Sequence, residues 1–172
     1  MGLDMYLEGS LYFGGNFNEK DETIVLKRKA VWEKEEKILE INVKDISDIK
    51  FRLAYWRKAN AIHKWFVDHC FNGVYDDYQG EDIDVSKEQL IELKELCKKV
   101  LEELEGKTYE AQKEIIANTL PMQKGFFFGY NESEDGIECY IYDLENTIKQ
   151  IDDAIKKCEK YDVKSIVYNA SW

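Results

Sequence analysis

The spacing of apolar side chains changes along this chain, and that change limits the folds open to it. Residues 2–13 alternate apolar and polar side chains, as a half-buried strand does. Two further strands are predicted at Thr23–Trp32 and Lys37–Val43, and Asp48–Leu53 would extend this meander by a third. Beyond Ser86 the apolar residues recur mainly at helical spacing. Strands followed by helices favour an α+β fold over a doubly wound parallel sheet.

The second half of the chain carries clear helix boundaries. Ser86 and Gln89 have the spacing of a capping box, in which each side chain caps the other residue's backbone N–H. This helix is expected to end at Gly106. We therefore predict an antiparallel sheet with three to four helices packed on it. The later predicted elements are a helix at Tyr109–Thr119, a short buried strand at Phe126–Phe128, a helix at Tyr142–Tyr161 and a strand at Val163–Trp172.

Composition indicates a single domain that spans residues 1–172. The chain has one proline, no linker rich in glycine, serine or proline, and a hydrophobic fraction of 44%. Its net charge of −11 disfavours general nucleic-acid binding, which depends on Lys and Arg neutralising phosphates, and also disfavours anionic membranes. The chain lacks a long apolar run and an export signal, so we expect a cytosolic protein.

Motifs for metal ions and cofactors are absent from the sequence. The four cysteines form no CxxC pair, and no HExxH, EF-hand, GxGxxG or P-loop pattern occurs. His63 and His69 would lie too far apart around a helix to bind one metal ion. The turn at Gly14-Gly15-Asn16 is either a backbone nest for an anion or an ordinary turn. We therefore expect no cofactor and no metal.

The most unusual segment is Ala54–Val67, which reads AYWRKANAIHKWFV. On a helical wheel drawn over residues 56–71, one side is apolar but also contains Asn60 and His63. Trp65 falls on the opposite side, among charged residues. Both arrangements invert the usual pattern, and such local inconsistencies tend to occur at functional or strained sites.

The same segment is basic within an acidic protein. From Ile49 to Val67 there are five Lys or Arg residues and no Asp or Glu, although the chain has 35 acidic residues. An exposed Trp65 would stack on a planar ligand, and Arg57 would bind its phosphate through two hydrogen bonds. The candidate ligand-binding residues are Trp56, Arg57, Lys58, Asn60, His63, Lys64 and Trp65, joined by Gln123 and Lys124 from the turn after Pro121.

Each of these features also has a purely structural interpretation. Asn60 and His63 would then be buried polar residues with hydrogen-bond partners. Trp65 would pack beneath the acidic loop at Val74–Asp84, and the basic residues would neutralise that loop. The turn after Pro121 would be a packed connector. The sequence leaves both interpretations open.

Several long motifs resemble a family of uncharacterised small tailed-phage and prophage proteins. They are the opening MGLDMYL, the central YWRKANAIHKWF, the helix start VSKEQL, the segment LPMQKGFFFG and the terminal SW. In that family the late segment usually reads LPTQSGFFFG. Met122 and Lys124 replace its hydroxyl residues here, which puts a hydroxyl role in doubt and adds a positive charge. The resemblance implies an accessory protein made in the cytoplasm of infected bacteria, and it implies no particular activity.

Three hypotheses about function remain open at this point. The first is a protein that binds a small anionic, nucleotide-like ligand without catalysis and so sequesters a host immune signal. The second is an acidic inhibitor that binds a host defence protein. The third is a nucleotide-processing enzyme that uses His63 as acid and base. A homo-oligomer is compatible with all three.

Overall fold

The computed structural model describes residues 2–12, 23–28, 37–71, 78–125, 129, 131 and 133–172. These residues confirm the predicted α+β class, with four α-helices and an antiparallel sheet. The strands are β1 (Asp4–Tyr12), β2 (Thr23–Arg28), β3 (Lys37–Asn42), β4 (Asp48–Arg57), β5 (Ile83–Asp84) and β6 (Ser165–Ser171). The helices are α1 (Asn60–Cys70), α2 (Lys87–Leu104), α3 (Tyr109–Thr119) and α4 (Glu134–Tyr161), with a 3₁₀ turn at Val43–Asp45.

The first strand is an inner strand of the larger sheet. The order of the four antiparallel strands is β4-β1-β6-β5, so β1 pairs with both β4 and β6. Its predicted alternation is confirmed, because Leu3, Met5 and Leu7 are fully buried while the residues between them are half-buried. The buried face of this sheet joins one core with the apolar stripes of α1, α2 and α4.

The strands β2 and β3 form a separate antiparallel ribbon. Both strands are confirmed within the described residues, but the predicted meander into β4 is wrong, because β4 pairs with β1. The ribbon is unusual in its exposed apolar surface. Val25, Leu26, Ile38 and Leu39 are each about half exposed, between 49% and 57%.

The helix of the basic segment begins later than the wheel predicts. β4 continues through Trp56 and Arg57, and α1 begins at Asn60. Hydrogen bonds to β1 hold this stretch extended, and a local pattern does not reveal pairing with a distant strand. The helix start also lacks a local signal, since its N-cap residue, Ala59, makes no side-chain capping hydrogen bond.

The predictions for α2 and α3 are confirmed. Ser86 and Gln89 form the expected capping box at the start of α2. Four other predictions concern residues outside those described here: the end of the second strand at 29–32, the strand at Phe126–Phe128, the turn at Gly14-Gly15-Asn16 and residues 74–77 of the acidic loop.

Helix α4 begins eight residues earlier than the predicted Tyr142, at Glu134. The hydroxyl oxygen of Ser133 caps it by accepting the N–H of Gly136 at 3.2 Å. Gly136 resembles a turn residue in the sequence, but it lies inside the helix. Glycine is required there because the backbone of Asn131 approaches it too closely for a side chain. A Cβ at this position would lie 2.1 Å from the carbonyl oxygen of Asn131.

Helix α4 lies along the outer edge of β4 and satisfies some of its backbone groups. Tyr55 donates its N–H to Oε1 of Gln150 at 2.7 Å. Nζ of Lys157 lies 3.3 Å from the carbonyl oxygens of Arg52 and Leu53. An open sheet edge invites pairing with other chains, and these contacts obstruct such pairing along β4.

Candidate functional site

A pocket of about 620 Å³ lies between the β4–α1 junction and the first half of α4. Its volume is typical of ligand sites, which span about 300–1,000 Å³. Residues 57–62 form one wall and most of residues 135–144 form the other. The walls differ in charge, because the first contributes two cations and the second three carboxylates. These charged residues are Arg57, Lys58, Asp135, Glu138 and Asp143.

The first wall contains a residue in an unusual backbone conformation, Lys58. Its φ angle is +59°, in the left-handed region that costs a residue with a side chain about 1–2 kcal/mol. Two hydrogen bonds of 2.8 Å hold it there: its N–H donates to the carbonyl of Leu3, and its own carbonyl accepts the N–H of Asn60. This turn ends β4, begins α1 and leaves Arg57 and Lys58 exposed. Strained residues of this kind cluster at functional sites.

The start of α1 belongs to the same wall. Residues 59–62 line the pocket, and no side chain caps the helix. Within the described residues, Ala61 and Ile62 donate their backbone N–H groups to no acceptor. The first turn also has no acidic side chain. A helix start with bare N–H groups carries partial positive charge and favours an anion.

Asn60 is a buried anchor of this wall. The residue is 6% exposed, and its Oδ1 accepts the backbone N–H of Gln123 at 3.1 Å. This bond holds the turn after Pro121 against the start of α1. Gln123 is half-buried and donates Nε2–H to the carbonyl of Lys124, which is exposed. Asn60 is thus a hydrogen-bonded core residue that also lines the pocket.

The facing wall is absent from the sequence-based candidates, because the predicted helix begins only at Tyr142. Asp135, Cys139 and Asp143 are four residues apart and share one stripe of α4. Tyr142 beside them is 65% exposed. Burial raises the pKa of the Asp143 carboxyl to about 7. The four-residue spacing is present in the sequence. A predicted helix start after Ser133 would have placed these three residues on one helix face.

His63 lies in the core, away from the pocket. The residue is 1% exposed, and Nδ1 lies 2.7 Å from the hydroxyl oxygen of Tyr168. The rings of Tyr78 and Trp172 pack around it at centroid distances of 5.6 Å and 5.9 Å. Burial lowers its pKa to about 4, so the imidazole is neutral at pH 7. The structural interpretation of His63 is therefore correct.

Neither tryptophan of the basic segment can stack on a ligand. Trp65 is 2% exposed and lies parallel to His69, with ring centroids 4.8 Å apart. The predicted exposure of Trp65 is wrong, because α1 is covered on most sides and 7 of its 11 residues are buried. Trp56 is 1% exposed and donates Nε1–H to Oγ1 of Thr147 at 2.9 Å.

The basic residues of the segment do not form one surface. Lys64 pairs with Asp68 at 2.7 Å, one turn along α1. Lys50 and Arg52 lie on β4, and the guanidinium of Arg52 sits 5.3 Å from the ring centre of Tyr6. Of the five cations, the structure brings Arg57 and Lys58 to the pocket.

The described residues contain no group of three or more His, Cys, Asp or Glu side chains arranged to hold a metal ion. No helix among them has the length and apolarity needed to cross a bilayer. The four cysteines are free, and Cys139 is the exposed one.

The burial of neutral His63 predicts that the free energy of unfolding depends on pH. Its folded pKa of about 4 is below the ordinary 6.5, so the unfolded chain binds the additional proton between these values. The stabilisation is complete above pH 6.5 and falls by about 3 kcal/mol as the pH approaches 4. We expect His63→Gln to remove this pH dependence. The difference in unfolding free energy between the two proteins, from denaturant titrations, should shrink over this range.

Comparing the unsubstituted protein with His63→Gln also cancels the opposite pH dependence that Asp143 gives to stability. Asp143 has a raised folded pKa, so its contribution to stability is present at low pH and is lost as the pH rises towards 7. Both proteins contain Asp143, and its effect cancels in the difference. A difference that stays constant with pH would contradict the neutral, buried state of His63.

The left-handed conformation of Lys58 predicts different effects for two substitutions that both remove the amine. Lys58→Gly tolerates this conformation, whereas Lys58→Ala keeps a Cβ in it. We expect the glycine variant to be more stable than the alanine variant by about 1 kcal/mol in denaturant unfolding. Equal stabilities would be incompatible with a strained turn at this position.

Comparison with known proteins adds no relative. No family model, curated protein or solved structure matches the chain. The geometry of the pocket is therefore the basis for assigning a function.

Proposed function

We propose that this protein binds a small anionic, nucleotide-like ligand in the pocket and does not convert it. One observation carries the proposal: two cations and an uncapped helix start converge on one wall. Within the described residues, the side chains of Arg57 and Lys58 form no ion pair or hydrogen bond with the protein. Their charges are therefore available to a ligand.

The phosphate of such a ligand would lie against Arg57, Lys58 and the first turn of α1. A guanidinium matches two phosphate oxygens at once, and an amine adds a compact positive charge. The start of α1 lies in the same wall and adds the partial positive charge of a helix N-terminus. A carboxylate side chain near the helix start would compete with a phosphate, and the first turn has none.

The planar part of the ligand would pack on Tyr142. This exposed ring takes the role that the sequence pattern assigned to Trp65. Stacking of a base on an aromatic side chain contributes about 1–3 kcal/mol in single-stranded nucleic-acid complexes. Ile62, Met122 and Leu144 provide the apolar lining that ligand sites usually have.

The carboxylates of α4 limit the charge of the ligand. Three acidic side chains line the pocket together with the two basic ones. A second or third phosphate would lie near like charges and gain little. The pocket therefore favours a ligand with one phosphate group and an uncharged remainder.

Binding without conversion fits a sequestering role. The enclosed ring of His63 has no contact with the pocket, which weighs against an enzyme that uses it as acid and base. Combined with the resemblance to phage accessory proteins, this supports a role in the cytoplasm of infected bacteria. We propose that the ligand is a host nucleotide signal that the protein removes by binding it.

Nucleotide binding should protect Cys139 from a thiol reagent. This exposed residue lines the pocket, whereas burial raises the pKa of the Cys70 and Cys97 thiols to about 12 and also raises that of Cys158. Suitable probes are adenosine 5′-monophosphate, cyclic nucleotides and ADP-ribose. We expect at least one to raise the melting temperature and to slow the modification of Cys139.

Charge-matched variants test whether the pocket is responsible. We expect Arg57→Ala to weaken binding about tenfold to a hundredfold, the loss for a hydrogen bond to a charged group. Lys58→Gly should also weaken it without loss of stability. Lys50→Ala removes the same charge from the far end of β4 and should bind normally. Equal binding by Arg57→Ala and Lys50→Ala, or no response to any probe, would exclude this function.

A second candidate is the binding of a host protein, and the β2–β3 ribbon favours it. An isolated two-stranded ribbon buries little, and this one exposes four large apolar side chains. We expect Leu26→Asp combined with Leu39→Asp to abolish retention of a host protein in pull-downs at high salt. Arg57→Ala should retain that protein. Loss in both variants, or in neither, would argue against the ribbon as the binding surface.

A further inference from the structure

A chain of hydrogen bonds fixes Asp143 in the wall of the pocket. Its carbonyl oxygen accepts the hydroxyl of Thr147 at 2.6 Å. The same hydroxyl oxygen accepts Nε1–H of Trp56 at 2.9 Å. Because Trp56 directly precedes Arg57 in β4, these bonds tie the Asp143 turn of α4 to the strand that presents the cationic wall.

The carboxylate of Asp143 lies in the wall of the pocket. Within the described residues, no side chain or backbone N–H donates a hydrogen bond to it, although it is half-buried. Asp152 on the same helix shows the ordinary alternative, since it pairs with Lys94 at 3.0 Å. The carboxylate is only half-buried, so its oxygens are acceptors that a ligand in the pocket can reach.

The position of Tyr142 indicates which part of a ligand would reach this acceptor. Tyr142 directly precedes Asp143 in α4, and both line the pocket. A base stacked on Tyr142 would bring its own edge or the attached ribose next to the Asp143 carboxylate. Both parts can donate, through an exocyclic amine or through the ribose hydroxyls, and carboxylates accept hydrogen bonds from base amines in other complexes.

We propose that Asp143 accepts a hydrogen bond from the nucleoside part of the ligand and so fixes its orientation, with the phosphate at Arg57 and Lys58. This inference rests on the proposed function, and it makes the ligand more specific. The preferred ligand carries one phosphate at one end and an N–H or O–H donor at the other. Inorganic phosphate alone or a polyphosphate would bind Arg57 and Lys58 but would donate no hydrogen bond to Asp143.

Three matched nucleotides test this orientation in the full-length protein. Adenosine 5′-monophosphate has both donors, purine riboside 5′-monophosphate lacks the amine, and 2′,3′-dideoxyadenosine 5′-monophosphate lacks the diol. Calorimetric titration should show at least one analogue binding at least tenfold more weakly than adenosine 5′-monophosphate. The analogue that is weakened identifies the donor.

The variant Asp143→Leu removes the acceptor at similar size. It should bind adenosine 5′-monophosphate at least tenfold more weakly and no longer distinguish it from the weakened analogue. Asp153→Asn removes one negative charge from the same helix outside the pocket and should keep the discrimination. If Asp143→Leu does not fold, Asp143→Asn provides the same comparison with a smaller expected change.

The outcomes separate this inference from the proposed function. Absence of binding for all three nucleotides would overturn this inference, and the proposed function fails with it only if cyclic nucleotides and ADP-ribose also do not bind. Binding that depends on Arg57, with equal affinity for all three nucleotides, would leave the proposed function standing and overturn the role of Asp143. An unchanged discrimination in Asp143→Leu, or a loss of discrimination in Asp153→Asn as well, would also overturn it.

Discussion

The hydrogen bond from Trp56 to Thr147 sets the relation between strand and helix on which the site depends. Trp56 is buried, and its Nε1–H without a partner would cost about 1–3 kcal/mol. Thr147 is fully buried, satisfies that donor and bonds onward to the carbonyl of Asp143. Gln150 and Lys157 continue the contact along the edge of β4. Together these bonds hold α4 against β4, so that the residues after Trp56 face the Asp143 turn across the pocket.

Two locally unfavourable features lie in the cationic wall of that pocket. Lys58 and Asp162 are the described non-glycine residues with positive φ. Asp162 ends α4, a common place for a left-handed residue, whereas Lys58 has a long side chain in the same conformation. Helices α1 and α3 start without a side-chain cap, whereas Ser86 and Ser133 cap α2 and α4. At the pocket the uncapped start of α1 directly follows the left-handed Lys58, and local conflicts of this kind are expected at binding sites.

Local patterns predict most elements, and two errors fall at the starts of α1 and α4. The alternation of β1 and the capping box at Ser86 depend on neighbouring residues, and both were predicted correctly. The start of α1 was predicted too early, because pairing of β4 with β1 keeps Trp56 extended. The start of α4 was predicted too late, because Gly136 allows a close approach to Asn131 and does not end a helix. Pairing with a distant strand outweighed the local signal at α1, whereas at α4 a glycine inside the helix resembles a turn residue.

The sequence by itself determined the α+β class, the unusual basic segment and the presence of Arg57 and Lys58 in it. Tertiary structure decided which side chains of that segment are available. Burial places Trp65 and His63 in the core, because α1 is covered on most of its surface, and Lys64 pairs with Asp68. The tertiary structure also supplies the second wall of the pocket, with Tyr142 and Asp143, from a helix more than 70 residues away in the chain. Periodicity records which residues share a face of one element, but a pocket forms between elements, and only their packing brings its walls together.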